Sequence, residues 1–132
     1  MLYLKNPYKS IKHIIAIPVV STLIIPLVIF DLWAEIYHRI CFPLYGFPYL
    51  KRSEYVKIDR HKLKYLSFWQ KCYCVYCGYG NGIISYFGKM AGETERYWCG
   101  IKHQADAHFN PPAHQKDFAE YGNEEEFNQK YK

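Results

Sequence analysis

The sequence lacks the short motifs that mark most soluble enzymes. Gly78, Gly80 and Gly82 have neither the strand nor the lysine of a phosphate-binding loop, and the lone serines have no nucleophile-elbow context. No internal repeat is present. Because no motif carries a reaction or names a substrate, we expect a protein that is not an enzyme.

Acidic residues are scarce over most of the chain. Residues 1–103 carry 14 Lys/Arg against 6 Asp/Glu, whereas residues 104–132 carry 3 against 6. A positively charged region next to an apolar segment is suited to binding anionic lipid headgroups. Nucleic acid is the weaker interpretation, since no recognition motif accompanies the charge.

The chain also lacks an even number of cysteines. Five are present, at positions 41, 72, 74, 77 and 99. A secreted disulfide scaffold usually has an even count, so the sequence favours free thiols or metal thiolates. Such thiols persist most easily on the reducing side of a membrane, which predicts a cytoplasmic location for the cysteine-bearing domain.

One segment has no charge at all. Residues 14–30 are 17 uncharged, mostly apolar residues, and as a helix they would span about 25 Å of a hydrocarbon core of about 30 Å. A cleaved signal peptide is disfavoured because no small-x-small site follows Phe30. A single-pass anchor and a re-entrant hairpin or bent helix, broken at Pro18 and Pro26, both stay open, since basic residues flank the segment on both sides.

The rest of the chain predicts an aromatic collar and two helices. Residues 31–50 mix charged and aromatic side chains, as at a membrane interface, and Pro43, Gly46 and Pro48 end any helix there. Residues 54–58 predict a strand or extended linker, and Asp59 is the expected N-cap of a helix from Arg60 to about Lys71. A turn at Asn81-Gly82 and an amphipathic helix over residues 83–98 follow, then a polar tail.

The most specific pattern is Cys74-x2-Cys77 followed by Cys99-x3-His103. Three thiolates and one imidazole are a standard tetrahedral set for zinc. The first pair converges either in a tight knuckle or on one face of a helix, and an intervening helix with a turn would bring the second pair back to it. We predict a structural zinc site, with iron or an iron–sulfur cluster as the alternative, and Cys72 competes with Cys74 as a ligand. Buried structural thiols are the other interpretation of these cysteines.

The stretch Cys-Val-Tyr-Cys-Gly-Tyr, residues 74–79, resembles the knuckle of rubredoxins and zinc ribbons. The resemblance covers about six residues and implies a turn that directs backbone amides at sulfur. The second half departs from those families, since Cys99-x3-His103 is not a second Cys-x2-Cys knuckle, so electron transfer is not implied.

A second pattern joins Asp31, Glu35 and His38, which are spaced to share one face of a helix at the membrane boundary. Glu35-x-x-His38 has the spacing of di-iron carboxylate bundles, but no second copy exists in this chain. The pattern therefore favours a polar face that meets lipid headgroups or a partner protein.

Together these features predict a mainly α protein in three parts. Residues 1–50 form a transmembrane or re-entrant anchor with its aromatic collar, residues 51–108 a small helical domain pinned by metal, and residues 109–132 a polar acidic tail. We expect a membrane-bound accessory or assembly subunit of a larger membrane complex, in contact with membrane lipids and able to form a homo-oligomer. A membrane-bound redox or metal-handling protein that uses the Cys/His set directly is the alternative.

Overall fold

The structure, a computed structural model, describes residues 9–132, with side chains from residue 11 onward. It is 69% helical, and the described residues contain no β-strand. The prediction of a mainly α fold is confirmed. The chain divides into two compact units, Met1–Phe87 and Gly88–Lys132, here called unit 1 and unit 2. Lys5 and the rest of the basic N-terminal stretch before residue 9 lie outside the described residues.

Five α-helices and two short 3-10 helices make up the described fold. The α-helices are α1 Lys9–Thr22, α2 Ile24–Leu44, α3 Arg52–Tyr55, α4 Phe68–Trp98 and α5 Glu124–Tyr131. The 3-10 helices cover Arg60–Lys62 and Ala113–Asp117.

Helices α1 and α2 form one interrupted apolar helix. Only Leu23 separates them, and its backbone stays right-handed helical, with φ −63° and ψ −18°. Pro26 has no amide hydrogen to donate to the preceding turn, which explains a local interruption without a reversal of the chain. The stretch Ile11–Leu44, 34 residues, is long and apolar enough to cross a membrane. An interrupted helix, rather than a hairpin, is therefore present here.

A glycine ends α2 where the sequence predicts. Gly46 has a left-handed backbone with φ +72°, and its amide donates to the carbonyl of Pro43 at 3.1 Å. The amide of Phe47 donates to the carbonyl of Phe42 at 2.9 Å. This pair of bonds is a Schellman motif, which satisfies the last carbonyls of the helix and reverses the chain.

Residues 50–58, the return segment, run back along α2. The amide of Leu50 bonds His38, whereas Arg52 bonds Asp31, two turns earlier in α2. Residues 54–58, predicted as extended, include the end of the single-turn helix α3 and then Val56 in an extended conformation.

Helix α4 begins later than predicted because Ser67 caps it. The amide of Gln70 donates to Ser67 Oγ at 3.4 Å, and the amide of Ser67 donates to Gln70 Oε1 at 2.8 Å. This reciprocal capping box satisfies two donors at the start of the helix. Asp59, the predicted N-cap, precedes only the 3-10 turn Arg60–Lys62.

The predicted turn at Asn81-Gly82 is absent, since α4 continues through it. The glycines here serve close packing instead. A Cβ added at Gly82 would lie 2.7 Å from Val56 Cα, and one added at Gly78 would lie 2.7 Å from the carbonyl oxygen of Lys57. Only glycine lets the return segment approach α4 this closely.

Unit 1 packs around aromatic and aliphatic side chains from α2 and α4. Phe42, Ile83 and Tyr86 are at most 1% exposed. Phe30 of α2 meets Phe87 of α4 edge to face, with ring centroids 4.2 Å apart. Over residues 83–91, Ile83, Phe87 and Met90 are buried, whereas Ile84 and Ala91 are exposed.

Unit 2 is held by its own polar and apolar contacts. Phe118 and Ala119 are buried, and the Glu95 carboxylate bonds both His114, at 2.5 Å, and Gln115, at 2.7 Å. Asn123 caps α5 by accepting from the amide of Glu126. The segment 109–132, for which the sequence predicts a polar tail, thus contributes buried side chains and a capped helix.

We predict opposite effects for two glycine-to-alanine changes in α4. Gly82→Ala should lower the free energy of unfolding by about 1–3 kcal/mol, because the new methyl group meets backbone atoms that cannot move aside. Gly88→Ala, where an added Cβ meets nothing within 4 Å, should raise it by about 0.5–1 kcal/mol. Thermal unfolding in detergent measures both, and equal effects would contradict the packing described.

Candidate functional site: a buried polar network

Asp31, Glu35 and His38, predicted to share a face of α2, differ in their exposure. Asp31 is 8% exposed and His38 is 3% exposed, so both lie in the interior of unit 1. Glu35 is partly exposed and accepts a bond from Arg39 Nε at 3.0 Å. The polar face of α2 therefore meets the return segment and α4 of the same chain.

Asp31 binds one residue from each of these two elements. Arg52 of α3 approaches it as a fork, with Nη1 at 2.5 Å from Oδ1 and Nη2 at 2.6 Å from Oδ2. Tyr79 of α4 donates its hydroxyl to Oδ2 at 2.7 Å. Bidentate, charge-assisted hydrogen bonds of this kind are among the strongest in proteins. Asp31 thereby joins α2, α3 and α4 at one point.

The charges around Asp31 stay fixed at neutral pH. The hydrogen-bonded carboxylate of Asp31 raises the pKa of Arg52 above its ordinary value. Burial, followed by the hydrogen bond to Asp31, raises the pKa of Tyr79. Arg52 therefore stays a cation and Tyr79 a neutral donor, as the geometry requires.

His38 forms the second junction, seven residues further along α2. The amide of Leu50 donates to Nε2 at 3.0 Å, so the hydrogen of the neutral ring is at Nδ1. Nδ1 lies 3.1 Å from the hydroxyl oxygen of Tyr86, to which it donates. Burial raises the pKa of Tyr86 to about 12, which keeps this phenol protonated. The rings of Phe42 and Tyr49 flank the imidazole edge to face.

The network positions elements rather than exposing a reactive group. Both Asp31 oxygens and both His38 nitrogens have partners within unit 1. A general base or nucleophile needs a free position next to its substrate, which these groups do not offer in this arrangement. What the geometry does is hold the return segment between α2 and α4.

Sequence reasoning found Asp31 and His38 but missed their partners. Tyr79 and Tyr86 are seven residues apart on α4, the same interval that separates Asp31 from His38 on α2. Equal seven-residue intervals on two neighbouring helices are the signal that would have identified the pairs.

The predicted metal ligands are not brought together in the part of the chain that is described. Over residues 9–132, no group of three or more His, Cys, Asp or Glu has an arrangement that holds a metal ion. Cys74 and Cys77 lie on α4, in the helical conformation that is one of the two alternatives for their spacing, and α4 continues to Trp98. The ring of His103 packs against Phe109, with centroids 5.2 Å apart. All five cysteines, including Cys72 and Cys99, are free thiols.

Comparison with protein families, with curated proteins and with solved structures found no match to this chain.

We predict that Asp31→Asn costs roughly 2–4 kcal/mol of unfolding free energy, because it leaves the Arg52 cation without its counter-ion in a partly buried place. A double-mutant cycle with Arg52→Gln, followed by thermal unfolding in detergent, isolates the coupling between the two. Arg39→Gln is the matched control, since the Arg39 side chain is 73% exposed and its ion pair with Glu35 lies on the surface. It should change stability by less than about 1 kcal/mol. Equal losses in Asp31→Asn and Arg39→Gln would contradict the central role of the Asp31 pair.

The zinc prediction is tested by elemental analysis of detergent-purified protein. If Cys74, Cys77, Cys99 and His103 bind zinc, the wild type should hold one ion per chain, and Cys77→Ser and Cys99→Ser should each lose it together with stability. Cys41→Ser, outside the predicted set, is the control and should keep the ion. Iron with charge-transfer absorption bands would favour the redox alternative, and protein without metal would reject the site.

Proposed function

We propose that this protein is a membrane-anchored accessory or assembly subunit that packs against a larger membrane protein complex. The observation that carries the proposal is the distribution of side chains in unit 1. The apolar side chains of α1 and α2 face outward: Ile14 is 71% exposed, Trp33 72% and Leu44 76%. The polar side chains Asp31 and His38 face inward.

The outer surface of α1 and α2 differs from that of soluble proteins. A soluble monomer rarely exposes a continuous apolar surface of such extent. In a bilayer, by contrast, apolar side chains meet lipid or another apolar helix, and polar groups must find partners inside the protein. A membrane environment therefore accounts both for the exposed apolar side chains and for the buried polar ones.

A groove on this surface suits another membrane helix. It has a volume of about 670 Å³ and is lined by Leu23, Pro26, Leu27, Ile29, Phe30, Trp33 and Ile84. Helices associate in membranes through close packing rather than through the hydrophobic effect, so a concave apolar surface adds contact area for a partner helix. The closed polar network supports a scaffold role, because it gives this surface a fixed shape.

The alternative, a membrane-bound redox or metal-handling protein with its Cys/His domain on the cytoplasmic side, has one observation in its favour. Cys74 and Cys77 lie one turn apart on α4 as free thiols, with Cys77 exposed. Thiolates at this interval on a helix can bind one soft metal ion together. The zinc analysis above distinguishes this alternative from a scaffold.

Site-specific photocrosslinking in native membranes tests the proposed function. A photoreactive residue in place of Trp33, which lines the groove, should crosslink to one defined membrane protein. The same residue in place of Ala34, which is buried on the next position of α2, is the control and should not. Crosslinks from position 33 only to lipid, or only to a second copy of this chain, would contradict the role as a subunit of a larger complex.

A further inference from the structure

Residues 57–71 combine positive charge with exposed aromatic rings. This stretch, here called the basic rim, has five Lys/Arg and one Asp. Its cations are Lys57, Arg60, Lys62, Lys64 and Lys71. Three of its aromatic side chains project into solvent, with Tyr65 80%, Phe68 72% and Trp69 69% exposed.

The contacts of unit 1 place the start of α4, and with it the last residues of the basic rim, toward one end of the apolar helix. Tyr76 of α4 donates its hydroxyl to the carbonyl of Val20, at 2.5 Å, whereas Tyr86 of α4 meets His38. Residue numbers therefore increase in the same direction along α4 and along the interrupted helix formed by α1 and α2. Helix α4 thus runs parallel to that helix. Phe68 and Trp69, at the start of α4, consequently lie toward the N-terminal end of α1, where Lys12 is exposed.

The combination of cations and aromatic side chains in the basic rim matches the chemistry of a membrane surface. Trp, Tyr and Phe side chains occupy the headgroup level, and Lys and Arg near it bind anionic headgroups. The cations outnumber the single acid of the rim, Asp59, so its net charge is positive.

We propose that the basic rim is a binding surface for anionic phospholipids, with Lys62 and Lys64 contacting the headgroup phosphates and Phe68 and Trp69 lying among the upper acyl chains. The proposal rests on the membrane location in the proposed function and names the lipid class that this end of unit 1 prefers. It explains why largely exposed aromatic rings accompany the charge, since a solvated basic segment has no need of them.

The test measures lipid preference with the full chain. Purified protein in an uncharged detergent is titrated with fluorescent phosphatidylglycerol and, separately, with fluorescent phosphatidylcholine, and binding is followed by anisotropy. We expect the wild type to prefer the anionic lipid and Lys62→Gln/Lys64→Gln to lose about 25-fold of its affinity for that lipid. High salt should reduce the preference of the wild type in the same direction.

Lys116→Gln/Lys132→Gln is the matched control, because it removes the same charge from exposed positions of unit 2. It should retain the wild-type preference. Phe68→Ser/Trp69→Ser should weaken the binding of both lipids alike, since acyl chains do not differ between them.

Three results would overturn the proposal. The first is equal binding of both lipids by the wild type. The second is an equal effect of the two lysine pairs, which would reduce the preference to net charge. A third is binding of a single-stranded oligonucleotide that depends on Lys62 and Lys64 without any lipid preference, which would assign the rim to nucleic acid. Crosslinking from position 33 reports on the protein partner independently, so loss of the lipid preference leaves the proposed function separately testable.

Discussion

The ion pair between Asp31 and Arg52 is the constraint on which unit 1 depends. An acid in the middle of an apolar helix is costly unless a cation reaches it, and the cation here comes from the return segment. Because Tyr79 binds the same carboxylate, the pair also fixes the position of α4. The close contacts at Gly78 and Gly82 and the junction at His38 then extend the same three-element packing in both directions along the helices.

The pair also explains how a charged side chain lies in the otherwise apolar interior of unit 1. The guanidinium of Arg52 and the hydroxyl of Tyr79 together satisfy both carboxylate oxygens of Asp31, while the Arg52 side chain stays 38% exposed. The apolar side chains of α2 are then left to the outside, where Trp33 and Phe30 form the wall of a groove. The buried ion pair and the apolar outer side of α2 are thus parts of one arrangement.

Much of the local structure could be predicted from the sequence. The apolar helix, its end at Gly46 and the shared face of Asp31 and His38 follow from hydrophobic length, turn chemistry and helical spacing. The course of α4 could not be predicted, because its glycines look like breakers unless the backbone of the return segment is known to pass beside them. Arg52 and Tyr79 were missed for a similar reason, since they lie 21 and 48 residues from Asp31 and local patterns carry no information on such distances.

The order in which these residues occur along the chain has a consequence for biosynthesis. Asp31 leaves the ribosome before Arg52 and well before Tyr79. If the apolar helix inserts into a membrane in that interval, as the proposed function requires, its unpaired acid costs roughly 2.5–3.5 kcal/mol on insertion scales. On that proposal, stable insertion of the first helix depends on the later part of the chain, which carries Arg52 and Tyr79.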